Sequence, residues 1–310
     1  MSSITTKVTP TGQASSKLVR RRLLSGWLFL GPALLLLAAV VLYPLLRGIW
    51  ISFTHYNLQQ RESLGQFFGL GQYQLLFDDW ITRLAIKNTV VFGFTSIFFA
   101  FTIGFALALL LNQNIAFRGL FRGLLLLPYV IPSVVTAFLW AWLFETQFGV
   151  LNYLLVRLGL VASNINWVAS PQRAMVTVIT AYTWRLAPFF MVMLLAGLQT
   201  VPQDQKEAAL IDGANRLQAF FYVTLPYLRN IIGTVVTLGL IWSFHQYTII
   251  FTMTQGGPAR ATTTLALHVY KKAFEHFDIG AAAATGVIWL LMLMVLAVIS
   301  SRFREEEMWL

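Results

Sequence analysis

Residues able to do covalent chemistry are few in this 310-residue chain, and they do not cluster. Cysteine is absent, which removes disulfides, thiolate metal ligands and cysteine nucleophiles together. The four histidines, His55, His245, His268 and His276, form no i, i+4 pair and no HExxH, so no histidine metal centre is expected. There is no GxxxxGK[ST] stretch with which to cradle a nucleoside triphosphate. The acids fall in polar segments and tails, leaving no set of His, Asp or Glu at membrane depth for an intramembrane enzyme. One ionisable residue is plainly internal to an apolar run: Arg185 in AYTWRLAPFF. A charge in that position is a functional candidate by default, and a guanidinium suits bidentate contact with hydroxyls or a carboxylate. Arg185 could instead snorkel from near the outer end of its helix, or pair with an acid such as Glu145. Pro188, close by, frees backbone carbonyls one turn earlier and makes an irregular lining there.

Two further stretches carry polar groups where apolar ones would be routine. VVTLGLIWSFHQYTIIFTMT gathers Trp242, Ser243, His245, Gln246 and Tyr247 in one run, and on a helix Gly239, Trp242, Ser243 and Gln246 share a face. An aromatic platform beside hydrogen-bonding groups suits a sugar, with its apolar C–H face and hydroxyl rim; helix packing with polar glue is the other reading. His245 lies off that face and suits packing or hydrogen bonding. The second stretch, QKEAALIDGANRLQAFFYVTLP, sets Lys206, Glu207, Asp212 and Arg216 between two long apolar runs. It predicts two short helices. Pro202 suits a first turn, Gly213 the left-handed position that ends a helix, and Asn215 the next N-cap. Ala208 and Ala209 strip bulk from the face beside Glu207, so another surface can approach closely.

The elements that must position these groups are membrane helices. With 57% hydrophobic and only 11% charged residues, the chain is an integral membrane protein. Runs of the required ~20 apolar residues predict six spans near 24–51, 85–111, 119–144, 174–199, 227–253 and 281–301. Pro128 and Pro132 interrupt the third, as a kink or a gate. Residues 1–22 read as a basic, disordered tail ending in Arg20, Arg21 and Arg22. That places the N-terminus inside, and after six spans the tail at 302–310 inside as well. A cleaved leader is the competing reading, disfavoured by a long apolar run with no A-x-A site. Formal charge is +10, but much of it flanks spans, where it orients helices, so nucleic acid is not an expected partner. The segment TQGGPARATTT forces a sharp reversal on the outside, either to touch a partner or to close a turn.

The loop at 200–226 also resembles a known family. E-A-A, three residues, G, nine residues, an aliphatic, one residue, L-P falls on Glu207, Ala208, Ala209, Gly213, Val223, Leu225 and Pro226, with Val where Ile is usual. This is similar to the cytoplasmic loop of permeases in binding-protein-dependent ABC importers. Together with LPYVIPSVVTAFLWAWLF, FGVLNYLL, WRLAP and TQGGPARATTTLALHVYKKAF, it extends the resemblance over about residues 25–301, to carbohydrate uptake transporter-1 (maltose-type) permeases and to the first of two unlike partners. The resemblance implies an all-α, six-span type I importer fold in a bacterial or archaeal cytoplasmic membrane. It implies a coupling helix, through Glu207, Ala208, Ala209, Asp212, Gly213 and Pro226, that docks on one of two ATPase subunits where ATP and Mg are bound; this chain would bind no cofactor and catalyse nothing. A second permease, an extracytoplasmic binding protein and a carbohydrate complete the partners. The sugar-contacting positions it implies are Arg185, Leu186, Phe189, Gly239, Trp242, Ser243 and Gln246. A stand-alone ion-coupled sugar transporter is the alternative, though such proteins usually carry acids within their spans.

Overall fold

A computed structural model describes residues 30–60, 62 and 64–305, without the side chains of 301–305. The expected tail at 1–22, the start of the first span at 24–29 and residues 306–310 lie outside the described residues. The chain begins with α1 (Leu30–Ile51), followed by a small hairpin, β1 (Thr54–His55) with β2 (Gln66–Phe67), and by α2 (Gly71–Asp78). Then come α3 (Trp80–Leu111), the pair α4 (Arg118–Val130) and α5 (Ser133–Leu143), α6 (Val150–Arg157) and α7 (Ala174–Thr200). The remainder is α8 (Gln203–Ile211), α9 (Arg216–Phe244), α10 (Thr248–Thr254), α11 (Leu265–Tyr270) and α12 (Ile279–Glu305). Among the described residues, α1, α3, α7, α9 and α12 are long and apolar enough to cross a bilayer, and α4 with α5 makes a sixth span if counted as one.

Two of the expected spans are not continuous. The third bends by 94° between α4 and α5. Pro132 has no N–H to continue the ladder and pushes Ile131 out of the helical region, to ψ 131°, whereas Pro128 is absorbed inside α4. The fifth stops at Phe244, unwinds through 245–247 and resumes as α10. Nor does it start at Pro226. α9 runs through that proline because the turn Phe220–Thr224 is widened, the Leu225 N–H reaching back to the Phe220 carbonyl. A widened turn relieves the clash that a proline ring otherwise makes with the preceding turn.

The centre of the bundle is α7, 67% of whose most apolar stretch is buried, while none of the corresponding stretch of α1 is. Small residues bring α3 close to it: Ala100 and Ala108 are fully buried, and a Cβ at Gly104 would stand 2.6 Å from the Ala187 carbonyl. Close backbone approach of this kind is how helices associate where lipid removes the hydrophobic drive between them. Phe190, Met191 and Leu194 of α7 fill the seam. The exposed apolar surface of α1 belongs against lipid or another subunit.

At the end of the bundle where α7 begins, buried Asn152 organises residues 145–167. Its Nδ2 donates to the carbonyls of Thr146 (3.1 Å) and Ile165 (2.8 Å), and its Oδ1 accepts from Ile165 N (3.1 Å) and Trp167 Nε1 (2.9 Å). The turn-rich segment before α11 is tied to α3. Asn88 Nδ2 donates to the Thr263 carbonyl (3.0 Å), and the Leu265 N–H donates to Thr89 Oγ1 (2.8 Å). Polar side chains of a span here serve as ties for a loop.

Candidate functional site

Two regions stand out, one at the end of α7 and one along its middle. At the end, Asp204 lies in the first turn of α8, favourable to its dipole, and Gln203 Nε2 donates to Glu207 Oε1 (3.2 Å). Gly213, at φ +92°, closes the helix: its own N–H reaches the Leu210 carbonyl (3.2 Å) and that of Ala214 reaches the Ala209 carbonyl (3.0 Å). This is a Schellman arrangement, which a Cβ-bearing residue enters only with strain. One residue later Asn215 and Gln218 form a reciprocal capping box, with bonds of 2.9 and 2.8 Å. These two motifs, set back to back, fix the turn that leaves a helix burying none of its residues.

Ala208, Ala209 and Asp212 of α8 and Tyr222, Val223 and Pro226 of α9 line an open cleft of about 600 Å³. Glu207 and Gly213 lie on the exposed surface beside it. Leu210, Ile211, Leu217 and Tyr222 are also exposed, Ile211 by 85%. Apolar side chains so displayed on a polar loop suit contact with another protein or with the membrane surface.

Along the middle of α7 the predicted pathway residues divide. Leu186, Gly239 and Ser243 are buried within the chain. A Cβ on Gly239 would press on Phe190 Cζ at 2.8 Å, and Ser243 Oγ donates to the Leu240 carbonyl (2.8 Å). Arg185, Phe189 and Gln246 are half-buried and Trp242 is 39% exposed. Phe189 and Trp242 meet at 4.8 Å between ring centroids, tilted by 64°, the edge-to-face contact that aromatic quadrupoles favour. Gln246 falls in the unwound stretch after α9, so the helical face drawn from Gly239 to Gln246 is cut short. Its Nε2 is buried and finds no hydrogen-bond partner among the described residues. His245 donates from Nδ1 to the Ile241 carbonyl (2.8 Å) and lies 4.7 Å from the Trp289 ring.

Sequence reasoning missed the contribution of the bent third span. Tyr129 stacks on Phe189 at 6.0 Å, which extends the aromatic strip to Tyr129, Phe189 and Trp242. Arg185 donates from Nε to the Ile131 carbonyl (3.3 Å), and its Cζ stands 5.9 Å from the Tyr129 ring. Glu145, the acid considered as its partner, instead accepts from the backbone N–H groups of Gln147 and Phe148. Those donors, Phe148 foremost, hold its carboxyl below the usual range. The signal for Tyr129 was LLPYVIPS, two prolines around a tyrosine, but nothing local says which helix the ring meets. Among the described residues no three of His, Asp or Glu gather as metal ligands.

A family model described as binding-protein-dependent transport system inner membrane component matches residues 100–305. The chain belongs to that family. The trehalose/maltose transport system permease protein of Thermococcus litoralis is 31% identical over 94% of this chain and 98% of its own. The sulfoquinovosyl glycerol transport system permease protein of Agrobacterium fabrum is 33% identical over 89% and 88%. Among solved structures, one chain of a bacterial ABC transporter that imports the acidic polysaccharide alginate superposes with a TM-score of 0.76, at 23% identity, over 94% of this chain and 99% of that one. The permease is thus a multi-pass protein of the cytoplasmic membrane with the type I importer fold. Membership in this family sets aside the ion-coupled secondary transporter.

Proposed function

We propose that this permease is one of two unlike membrane subunits of an ATP-driven importer, taking a carbohydrate from an extracytoplasmic binding protein and passing it inward by alternating access. The observation that carries the reading is the exposed cleft floored by Ala208 and Ala209 on a helix whose C-terminal end is fixed by the Gly213 turn and the Asn215 capping box that follows it. In this reading the α8 loop and both termini face the cytoplasm. Two ATPase subunits hydrolyse ATP with Mg, and one of them inserts into the cleft against Glu207, Ala208, Ala209, Asp212, Gly213 and Pro226. The permease chain itself contributes no catalysis. Because α8 joins α7 directly at Val201–Pro202 and α9 through the Asn215 capping box, movement of α8 passes to the helices that carry Arg185, Phe189 and Trp242.

The carbohydrate part of the proposal is supported by the names of the two relatives and by the aromatic strip. Tyr129, Phe189 and Trp242 offer stacking surface to sugar C–H faces, and the buried Gln246 amide nitrogen, without a partner among the described residues, would donate to a hydroxyl once turned outward. Leu186, Gly239 and Ser243 form the packed layer behind that wall.

The test begins with a thermal-shift screen of carbohydrates on the cognate binding protein, followed by uptake into vesicles holding the reconstituted complex. Glu207→Lys should leave the protein inserted but abolish ATPase association and uptake. Phe189→Ala and Trp242→Ala should each reduce the ATPase activity stimulated by loaded binding protein, with a coupling of about 1 kcal/mol in the double variant for the edge-to-face pair. Uptake that persists with ATP depleted and Glu207 reversed in charge would refute the importer reading.

A further inference from the structure

Resting on the translocation reading above, we infer that Arg185 is a positioning residue: it fastens the elbow of the broken third span to α7 and so sets the aromatic wall. In a continuous helix the Ile131 oxygen would accept from the N–H of residue 135, but the 94° turn carries α5 away. The surrounding backbone groups are occupied with each other: Ile131 N donates to the Leu127 carbonyl (3.2 Å) and Thr136 N to the Pro132 carbonyl (3.0 Å). The Ile131 carbonyl takes its donor from Arg185 Nε, 54 residues further along the chain. Within a membrane a carbonyl deprived of its ladder partner must be satisfied by protein, and Arg185 does this.

Charge and shape reinforce the bond. The last carbonyls of α4 carry the negative end of its dipole, where a cation is favourable. The guanidinium carbon also lies 5.9 Å from the Tyr129 ring, within reach of a cation–π contact. One turn along α7, Phe189 stacks on the same Tyr129. Helix α7 thus grips the end of α4 twice, at the Ile131 carbonyl and at the Tyr129 ring. Phe189 then meets Trp242, two residues before α9 ends. The aromatic strip links the two places where spans are broken, and Arg185 anchors one end of it.

The absence of cysteine makes the elbow measurable. Spin labels on Leu127→Cys in α4 and Phe138→Cys in α5, both exposed, report the angle between the arms by pulsed electron spin resonance in the assembled complex in lipid nanodiscs. Arg185→Met should broaden the distance distribution and reduce ATPase stimulation by loaded binding protein about tenfold, the scale of one lost charge-assisted hydrogen bond. Arg185→Lys, which keeps a donor and the charge, should restore most of both. Should the methionine variant not assemble, Arg185→Gln, a donor without charge, is expected to fall between. An unchanged distribution in Arg185→Met or Arg185→Gln overturns the proposal whatever the ATPase does, and a broadened one with normal stimulation overturns it equally. Trp242→Ala with the same labels separates the two readings. A broadened elbow in Arg185→Met alongside full stimulation in Trp242→Ala would leave the latch standing and remove the wall.

Discussion

Replacing Gly213 by valine should disconnect the motor from the membrane bundle without disturbing the bundle. Gly213 sits at φ +92°, and no atom lies within 4 Å of where its Cβ would be, so the cost is backbone strain alone. A left-handed conformation costs about 1–2 kcal/mol for a residue with a Cβ, more for a β-branched one, and relief through another conformation gives up two hydrogen bonds of ~1 kcal/mol each. Either route comes to roughly 2–4 kcal/mol. Helix α8 has little with which to resist: it is nine residues long, buries none of them, and isolated helices of that length are marginal. The ordered population of α8 should fall at least about tenfold. The assay is co-purification of the ATPase subunit and its stimulation in the reconstituted complex, with the thermal midpoint of the solubilised protein as a control expected to stay put. Gly213→Asn is the decisive companion, since asparagine tolerates the left-handed region and the space is open. It should retain most coupling. Equal activity in the valine and asparagine variants, or equal loss, would refute the reasoning, the latter by showing that side-chain bulk against the ATPase matters and the turn does not.

Two further expectations test the end where α7 begins. Asn152→Leu leaves the Ile165 N–H and the Trp167 indole N–H without their acceptor, at a cost of about 2–4 kcal/mol; limited proteolysis between residues 158 and 173 should accelerate while the spans stay protected. His268 is buried, bonded through Nε2 to Thr82 Oγ1 (3.2 Å), and burial, with Lys272 nearby, pushes its pKa down to about 4. Its folded pKa lies below the unfolded value, so its contribution is complete above about pH 6.5 and is lost as pH falls towards 4, by about 2 kcal/mol at pH 5. Thermal unfolding at pH 7 and pH 5 should therefore show a smaller drop in His268→Gln than in the parent protein.

Short-range chemistry was legible in the residues themselves. The apolar runs announced membrane helices because a bilayer demands some 20 such residues in sequence, and Gly213 and Asn215 announced a helix end and a helix start because those signals act over one turn. The E-A-A spacing, being local, could be recognised as belonging to a family. Pro132 announced a break, but Pro128 looked equally disruptive and rides inside α4, while Pro226, expected to begin the fifth span, lies within α9 because a widened turn accommodates it. Drawing Gly239, Trp242, Ser243 and Gln246 as one face presumed a helix that the structure ends at Phe244.

What the tertiary structure alone decided is which side chains meet across the bundle. Composition showed Arg185 to be out of place in an apolar run, but not that its partner is a carbonyl 54 residues away. Leu186 and Phe189 stand three residues apart on α7, yet one is packed inside while the other holds Tyr129 and Trp242. Those pairings depend on how far each helix rotates and where two of them break. Helix–helix packing sets both, and no stretch of chain carries that information alone.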